Sequence, residues 1–237
     1  MRVLVGILAC EKDRWAHDSV LQMWVPNNVD NWEHAGHVAT FRFFVGAGRK
    51  EYSNEFINTE VADENGTGKT RRMIKYALDK GFDYLFKCDV DTFVRVCSLL
   101  ESGFEKHNWL GGYGSKDIGP YGGSGYWLSR KAMGQLQDDV EDARTPRPWD
   151  EDRWVGANLI YKGLSPDLDE RYDSVGEPHN IREDFITSHL YARRGSYSGP
   201  IAPPPVLLSS NDRLQLMHEY HQRFKEIRRA QLIPQSH

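Results

Sequence analysis

Asp89 and Asp91 stand two residues apart at the end of an apolar run, Tyr84-Leu85-Phe86-Lys87-Cys88, and apolar residues resume at once with Phe93-Val94. Alternate side chains of an extended chain share a side, so the spacing predicts two carboxylates facing the same way. Carboxylates at a strand's end make a hard oxygen site suited to Mg²⁺ or Mn²⁺, ions that usually grip a substrate's phosphates rather than fill an all-protein cage. In open α/β sheets, ligands bind outside the carboxyl ends of the strands. The pair therefore points to a nucleotide diphosphate. An Asp-x-Asp triplet is also common as a solvated pair, and it is the position after Tyr84–Phe86 that favours the metal.

Four other stretches carry residues able to do chemistry. Gly66-Thr67-Gly68-Lys69-Thr70 ends like a phosphate-binding loop. That motif needs a glycine where Asp63 stands, and no clear strand runs into it, so a P-loop is rejected. Lys69 then reads either as a phosphate contact or as an exposed first-turn lysine. Gly122-Gly123-Ser124-Gly125-Tyr126-Trp127 mixes glycines with aromatics, which suits either close approach and stacking of a sugar or base, or a tight turn before a helix. Trp149-Asp150-Glu151-Asp152-Arg153-Trp154 is a second acidic cluster. It fits either a solvated helix N-terminus or a general base set beside aromatic surface. His189 is one of nine histidines, and a lone histidine is more often structural than a ligand. His218 and His221 lack the spacing of a zinc protease motif and read as helix surface.

The elements that must position these residues follow from hydrophobic period. Val3–Ala9 is a continuous apolar run, as in a strand buried on both faces of a parallel sheet. Asp13–Trp24 reads as a helix stopped by Pro26, and Ala39–Val45 as a second strand. Glu60–Asn65 reads as a loop. Thr67 is expected to cap a helix with Met73, Ile74, Ala77 and Leu78 inside, ending at Gly81. Phe82–Cys88 is the third strand. Ser129–Val140 reads as a helix, Gly199–Pro205 as a proline-rich loop, and Ser210 or Asn211 as the cap of a last amphipathic helix with Leu216, Tyr220, Phe224 and Ile227 on one face. This alternation predicts an α/β domain with a mainly parallel central sheet flanked by helices.

At 237 residues with 39% hydrophobic and 27% charged residues, the chain fits one soluble domain with a sizeable core. A net charge of −4 argues against general attraction to nucleic acid. Cys10, Cys88 and Cys97, three in number, read as free thiols in a reducing compartment. The opening run is too short, and too soon followed by Glu11-Lys12-Asp13-Arg14, for a signal peptide, and no apolar run reaches membrane-spanning length. The expectation is a cytoplasmic protein, unless the chain is a fragment of a longer one.

In their order along roughly residues 3–190, these pieces resemble the inverting GT-A-fold glycosyltransferases of the β-1,3-galactosyltransferase and Fringe superfamily. Lys87-Cys88-Asp89-Val90-Asp91-Thr92-Phe93-Val94 is similar to the family's Lys-x-Asp-Asp-Asp-x-Phe-Val. Gly123-Ser124-Gly125-Tyr126-Trp127-Leu128-Ser129-Arg130 is similar to its Gly-Gly-x-Gly-Tyr-x-x-Ser-Arg. Glu151-Asp152-Arg153-Trp154-Val155-Gly156 is similar to Glu-Asp-Val-x-x-Gly, and Ser188-His189-Leu190 to a late histidine segment.

The resemblance implies one GT-A (Rossmann-like) domain over residues 1–237, with its core in about 1–195 and a C-terminal loop and helix over 199–230. It implies transfer of a sugar from a UDP-sugar to an acceptor hydroxyl, with Mn²⁺ or Mg²⁺ held by Asp91, Asp89 and His189. Asp89 would also reach the ribose or a metal-bound water. Asp152 would be the catalytic base. The donor nucleotide would lie against Ala9, Cys10, Arg14, Lys69 and the Asp89-Val90-Asp91 stretch. Gly123, Ser124, Gly125 and Tyr126 would line the sugar pocket, and Trp149 and Trp154 would shape the acceptor side.

The chain departs from the family where arginines are usual: His17 and Leu21 stand there. Val90 replaces a middle acid, and the cysteines of luminal disulfides and a membrane anchor are missing. The acceptor expected is a glycan. A hydroxymethylated DNA base is the alternative, prompted by Arg193, Arg194, Arg223, Lys225, Arg228 and Arg229. A third possibility is a non-catalytic sugar-nucleotide-binding domain.

Overall fold

The apolar run at the start forms strand β1 (Arg2–Leu8) at the centre of the molecule. A computed structural model describes residues 1–47, 55–112, 114–137, 151–173, 184–189, 192–193, 206–207 and 209–232. After β1 a 3-10 turn over Glu11–Asp13 leads into α1 (Arg14–Met23). Strands β2 (Trp32–His34), β3 (His37–Val45) and β4 (Phe56–Asn58) precede α2 (Gly66–Asp79). Then come β5 (Tyr84–Asp89), β6 (Thr92–Val94), the short α3 (Val96–Leu100) and β7 (Trp109–Gly111). A small hairpin, β8 (Gly114–Ser115) with β9 (Gly119–Pro120), leads to β10 (Tyr126–Ser129), α4 (Arg130–Gln137) and α5 (Glu151–Tyr161). The remaining pieces are β11 (Asp167–Leu168), β12 (Tyr172–Asp173), β13 (Thr187–His189), β14 (Ala192–Arg193), β15 (Val206–Leu207) and α6 (Ser210–Leu232).

The fold is α/β, with a mixed eight-stranded central sheet that is mostly parallel at its core and flanked by helices. The order is β11-β7-β10-β5-β1-β3-β2, with β4 also on β3. The parallel core is β3-β1-β5, joined through α1 and α2. Beyond it β10 runs antiparallel to both β5 and β7, because the glycine-rich turn before Tyr126 returns the chain directly, without a helical crossover. Alternation decides which core each residue joins. Val3, Val5 and Ile7 of β1 enter one apolar cluster with Phe41, Phe43 and Phe86, while Leu4 enters the other with Phe44 and Leu85. Both faces of β1 are thus covered, as its unbroken apolar run predicts.

Helix α2 begins two residues earlier than a Thr67 cap would set it: Asn65 Oδ1 accepts the Gly68 N–H at 2.8 Å. Its inner face is Met73, Ile74 and Ala77, as expected. Helix α6 is capped by Ser209, not Ser210 or Asn211. The Ser209 hydroxyl accepts the Asp212 N–H at 3.2 Å, while the Asp212 carboxylate accepts the Ser209 N–H at 3.2 Å. Leu216, Met217 and Tyr220 of α6 are buried. Gly199–Pro205, Arg194, and the side chains of Arg193, Phe224, Ile227 and the basic residues 223, 225, 228 and 229 lie outside the described part. Among the described residues all three cysteines are free, and no helix is long and apolar enough to cross a membrane.

Candidate functional site

Strand β5 ends at Asp89, and the chain turns through Val90-Asp91 into β6. The two carboxylates therefore converge through a turn, not by alternation along one strand as the spacing predicts. The register places Asp89 beside Leu8 of β1, and the Val90 N–H bonds to the Leu8 carbonyl at 2.9 Å, fixing the turn at the carboxyl end of the parallel core. A three-stranded sheet, β12-β13-β6, brings the third ligand: His189 of β13 pairs with Thr92 of β6, the neighbour of Asp91. Ligand atoms of Asp89, Asp91 and His189 all lie within 4.8 Å of one another, an arrangement able to hold a metal ion. His189 Nε2 is 3.2 Å from Asp91 Oδ1 and 4.0 Å from Asp89 Oδ2.

Asp91 is 7% exposed and His189 6%. Burial pushes the Asp91 carboxyl up, but the His189 ring and the Arg213 guanidinium more than offset this and hold it below the usual range. Burial likewise disfavours the charged His189 ring, but Asp91 and Asp89 overcome it and raise its pKa.

The ligands open onto a cavity of about 710 Å³. Among the described residues, six carboxylates line it, those of Asp13, Glu64, Asp89, Asp91, Glu151 and Asp152, against the permanently charged Lys69 and Arg213 and the ionisable His189. Glycines of the turn before β10 form one wall. A side chain at Gly123 would collide with the His189 ring, 2.5 Å from its Nδ1, and one at Gly122 would strike the Glu151 carboxylate. The turn is held by Thr92, whose hydroxyl donates to the Gly123 carbonyl at 2.6 Å. Asp152, in the first turn of α5, accepts the Gly122 N–H at 3.2 Å through Oδ2. It therefore faces the same cavity as the metal-ligand candidates while staying anchored to the glycine wall.

Beneath the floor lies Lys87, fully buried. Its ammonium donates to Asp89 Oδ1 at 2.8 Å, to the Gly122 carbonyl at 3.2 Å and to Glu151 Oε1. Tyr126 donates its hydroxyl to the other Glu151 oxygen at 2.7 Å. Burial opposes the Lys87 charge, yet Asp89 and Glu151 outweigh it and raise the pKa above the ordinary lysine value. Burial leaves the Glu151 carboxyl raised despite Lys87.

Of the residues expected from the sequence, Cys10, Lys69, Asp89, Val90, Asp91, Gly123, Asp152 and His189 all line this cavity. Lys69 is neither exposed nor aimed at the opening. It is fully buried, and its ammonium donates to the Ala9 carbonyl at 2.7 Å, the Asp63 carbonyl at 2.5 Å and Cys10 Sγ at 3.1 Å. It ties α2 to the end of β1. Burial also pushes the Cys10 thiol up, and Lys69 only partly counters it. Ala9, Ser124 and Tyr126 are fully buried and, like Gly125, are not among the residues lining the cavity. Arg14 opens α1 next to Asp13, and its side chain lies outside the described part, as do Trp149 and Leu190. Trp154 does not reach the cavity: it packs in the core with Leu4 and Met73, under the Arg71 guanidinium.

Two participants carry no signal as strong as the acid pair. Glu151 stands beside Asp152 in sequence, and only burial separates their roles. Arg213 lies 122 residues from Asp91 in sequence, yet its Nη1 donates to Asp91 Oδ2 at 3.0 Å. No protein-family model matches this chain, and no curated protein matches it significantly.

Proposed function

We propose that the protein is a metal-dependent inverting glycosyltransferase of GT-A type, moving a sugar from a UDP-sugar to an acceptor hydroxyl on a glycan. The observation that carries this reading is the placement of Asp89, Asp91 and His189 at the carboxyl end of the parallel core, facing the same cavity as Asp152. Two carboxylates and an imidazole fit a divalent ion such as Mn²⁺, which accepts both oxygen and nitrogen donors. Bound there, the ion would supply Lewis-acid stabilisation of the departing diphosphate.

The chain's own residues account for the rest. Asp152 takes the proton of the acceptor hydroxyl as its oxygen attacks the anomeric carbon, and the bond from that carbon to the diphosphate oxygen breaks on the opposite side. One displacement inverts the configuration. The Gly122 N–H holds the Asp152 carboxylate in place. The excess of carboxylates around the cavity disfavours a polyanionic acceptor and supports a neutral hydroxyl on a sugar.

Isothermal titration with UDP, with and without Mn²⁺, tests the reading on the wild type and on Asp91→Ala. Binding that requires Mn²⁺ and is weakened at least about 100-fold in Asp91→Ala is expected, since even partners behind a metal's ligands are worth about 10–100-fold. Absence of UDP binding by the wild type with Mn²⁺ present would overturn the proposal.

A further inference from the structure

The two lysines at the cavity are fully committed. An ammonium carries three donors, and Lys69 spends them on Ala9, Asp63 and Cys10, as Lys87 does on Asp89, Gly122 and Glu151. A diphosphate brings more negative charge into a cavity already lined by six carboxylates. A divalent ion neutralises part of that charge. Among the described residues, Arg213 is the other permanently charged cation lining the cavity, and it bonds one of the metal-ligand candidates, through Asp91 Oδ2.

A guanidinium next to Asp91 and a divalent ion on the same carboxylate repel each other. Arg213 carries five donors in a planar fork that matches phosphate oxygens. We infer that Arg213 is a diphosphate clamp: it neutralises Asp91 while the site is empty and turns to the diphosphate when the ion takes the carboxylate. This inference rests on the donor-site reading above and deepens it.

The backbone around Arg213 supports the role. The residue sits in the first turn of α6, and Leu216, Met217 and Tyr220 follow at the spacing of one helical face. That face is buried, and the Tyr220 and Ser188 hydroxyls are hydrogen-bonded at 3.0 Å. Phe93 and Phe185 pack on the Tyr220 ring. Helix α6 is thus docked on the strands that carry His189 and follow Asp91. A guanidinium on this rigid base can exchange partners by side-chain rotation alone.

The test separates ion binding from diphosphate binding. Mn²⁺ alone is titrated by electron paramagnetic resonance, and UDP by calorimetry at saturating Mn²⁺, on the wild type, Arg213→Gln and Arg213→Lys. For Arg213→Gln, Mn²⁺ affinity is expected to hold or rise while UDP affinity falls about tenfold or more, as for loss of a charge-assisted bond. Arg213→Lys, which keeps the charge but not the fork, is expected to lie between. Unchanged UDP affinity in Arg213→Gln, or Mn²⁺ and UDP affinities falling together in both variants, would overturn the clamp. Wild type that binds Mn²⁺ but no UDP would sink the donor-site reading as well, so the two failures are told apart.

Discussion

Tyr126 and Trp127 are neighbours on β10, yet they end in buried polar networks of opposite character. Strand alternation sends Tyr126 to the cluster beneath the cavity, where its hydroxyl donates to Glu151, which Lys87 links to Asp89. Trp127 goes to the other face. There its indole N–H donates to the Tyr172 hydroxyl at 2.9 Å, which donates to Ser102 Oγ at 2.9 Å. Arg171 completes that second network, holding Asp169 Oδ2 at 2.6 Å and the Ser102 carbonyl at 3.1 Å. The second network is closer to balanced: Arg171 bonds Asp169, with the Asp184 carboxylate acting on the pair, and the hydroxyls chain in sequence. The first is not, since one buried ammonium serves two carboxylates with Asp91 and Asp152 close by. A balanced network fixes structure. An excess of buried charge must be maintained by the fold and is poised for an ion or a proton.

Asp152→Asn should break the comparison most sharply. It keeps the shape of the cavity wall while removing the base. Turnover of the UDP-sugar is expected to fall about 10²- to 10⁴-fold, with UDP affinity at saturating Mn²⁺ little changed. Equal losses in turnover and UDP affinity would make Asp152 part of the donor site instead.

Lys87→Met comes next. Removing one partner of a buried ion pair costs about 3–5 kcal/mol, so unfolding in urea should shift by that order. The loss should depend on pH. Without Lys87, burial raises the folded-state pKa of Glu151 further above its unfolded value. Such a group costs nothing when protonated in both states. The deficit should therefore be smallest in acid and grow as pH rises above the ordinary glutamate range. A deficit independent of pH would show that Lys87 acts through packing alone.

Tyr172→Phe is the smallest change. It orphans the Trp127 N–H in the balanced network and should cost about 1–3 kcal/mol in stability. Binding of Mn²⁺ and UDP should be unaffected. An effect on either would mean that the two faces of β10 communicate.

Much of the scaffold was legible because it depends on short-range pattern. The apolar run of β1, the spacing of Met73, Ile74 and Ala77 along α2, and the acid pair at the end of β5 are each fixed by a few neighbouring residues. Caps were placed one or two residues off because several capable residues stand side by side, and the entering chain selects among them: Asn65 over Thr67, Ser209 over Ser210. Burial of Lys69 was not legible, since a lysine at that position is ordinarily solvated. It goes inside because three acceptors, Ala9 just past β1, Cys10 beside it and Asp63 in the loop before α2, converge on its ammonium.

The sequence by itself determined an α/β scaffold with two carboxylates at the end of a central strand, since period and spacing are local properties of the chain. Tertiary structure decided what joins them. His189 reaches Asp91 because β13 pairs with β6, and Arg213 because α6 docks on those same strands. Contacts between residues so far apart in sequence depend on strand register and helix docking, which no local pattern encodes.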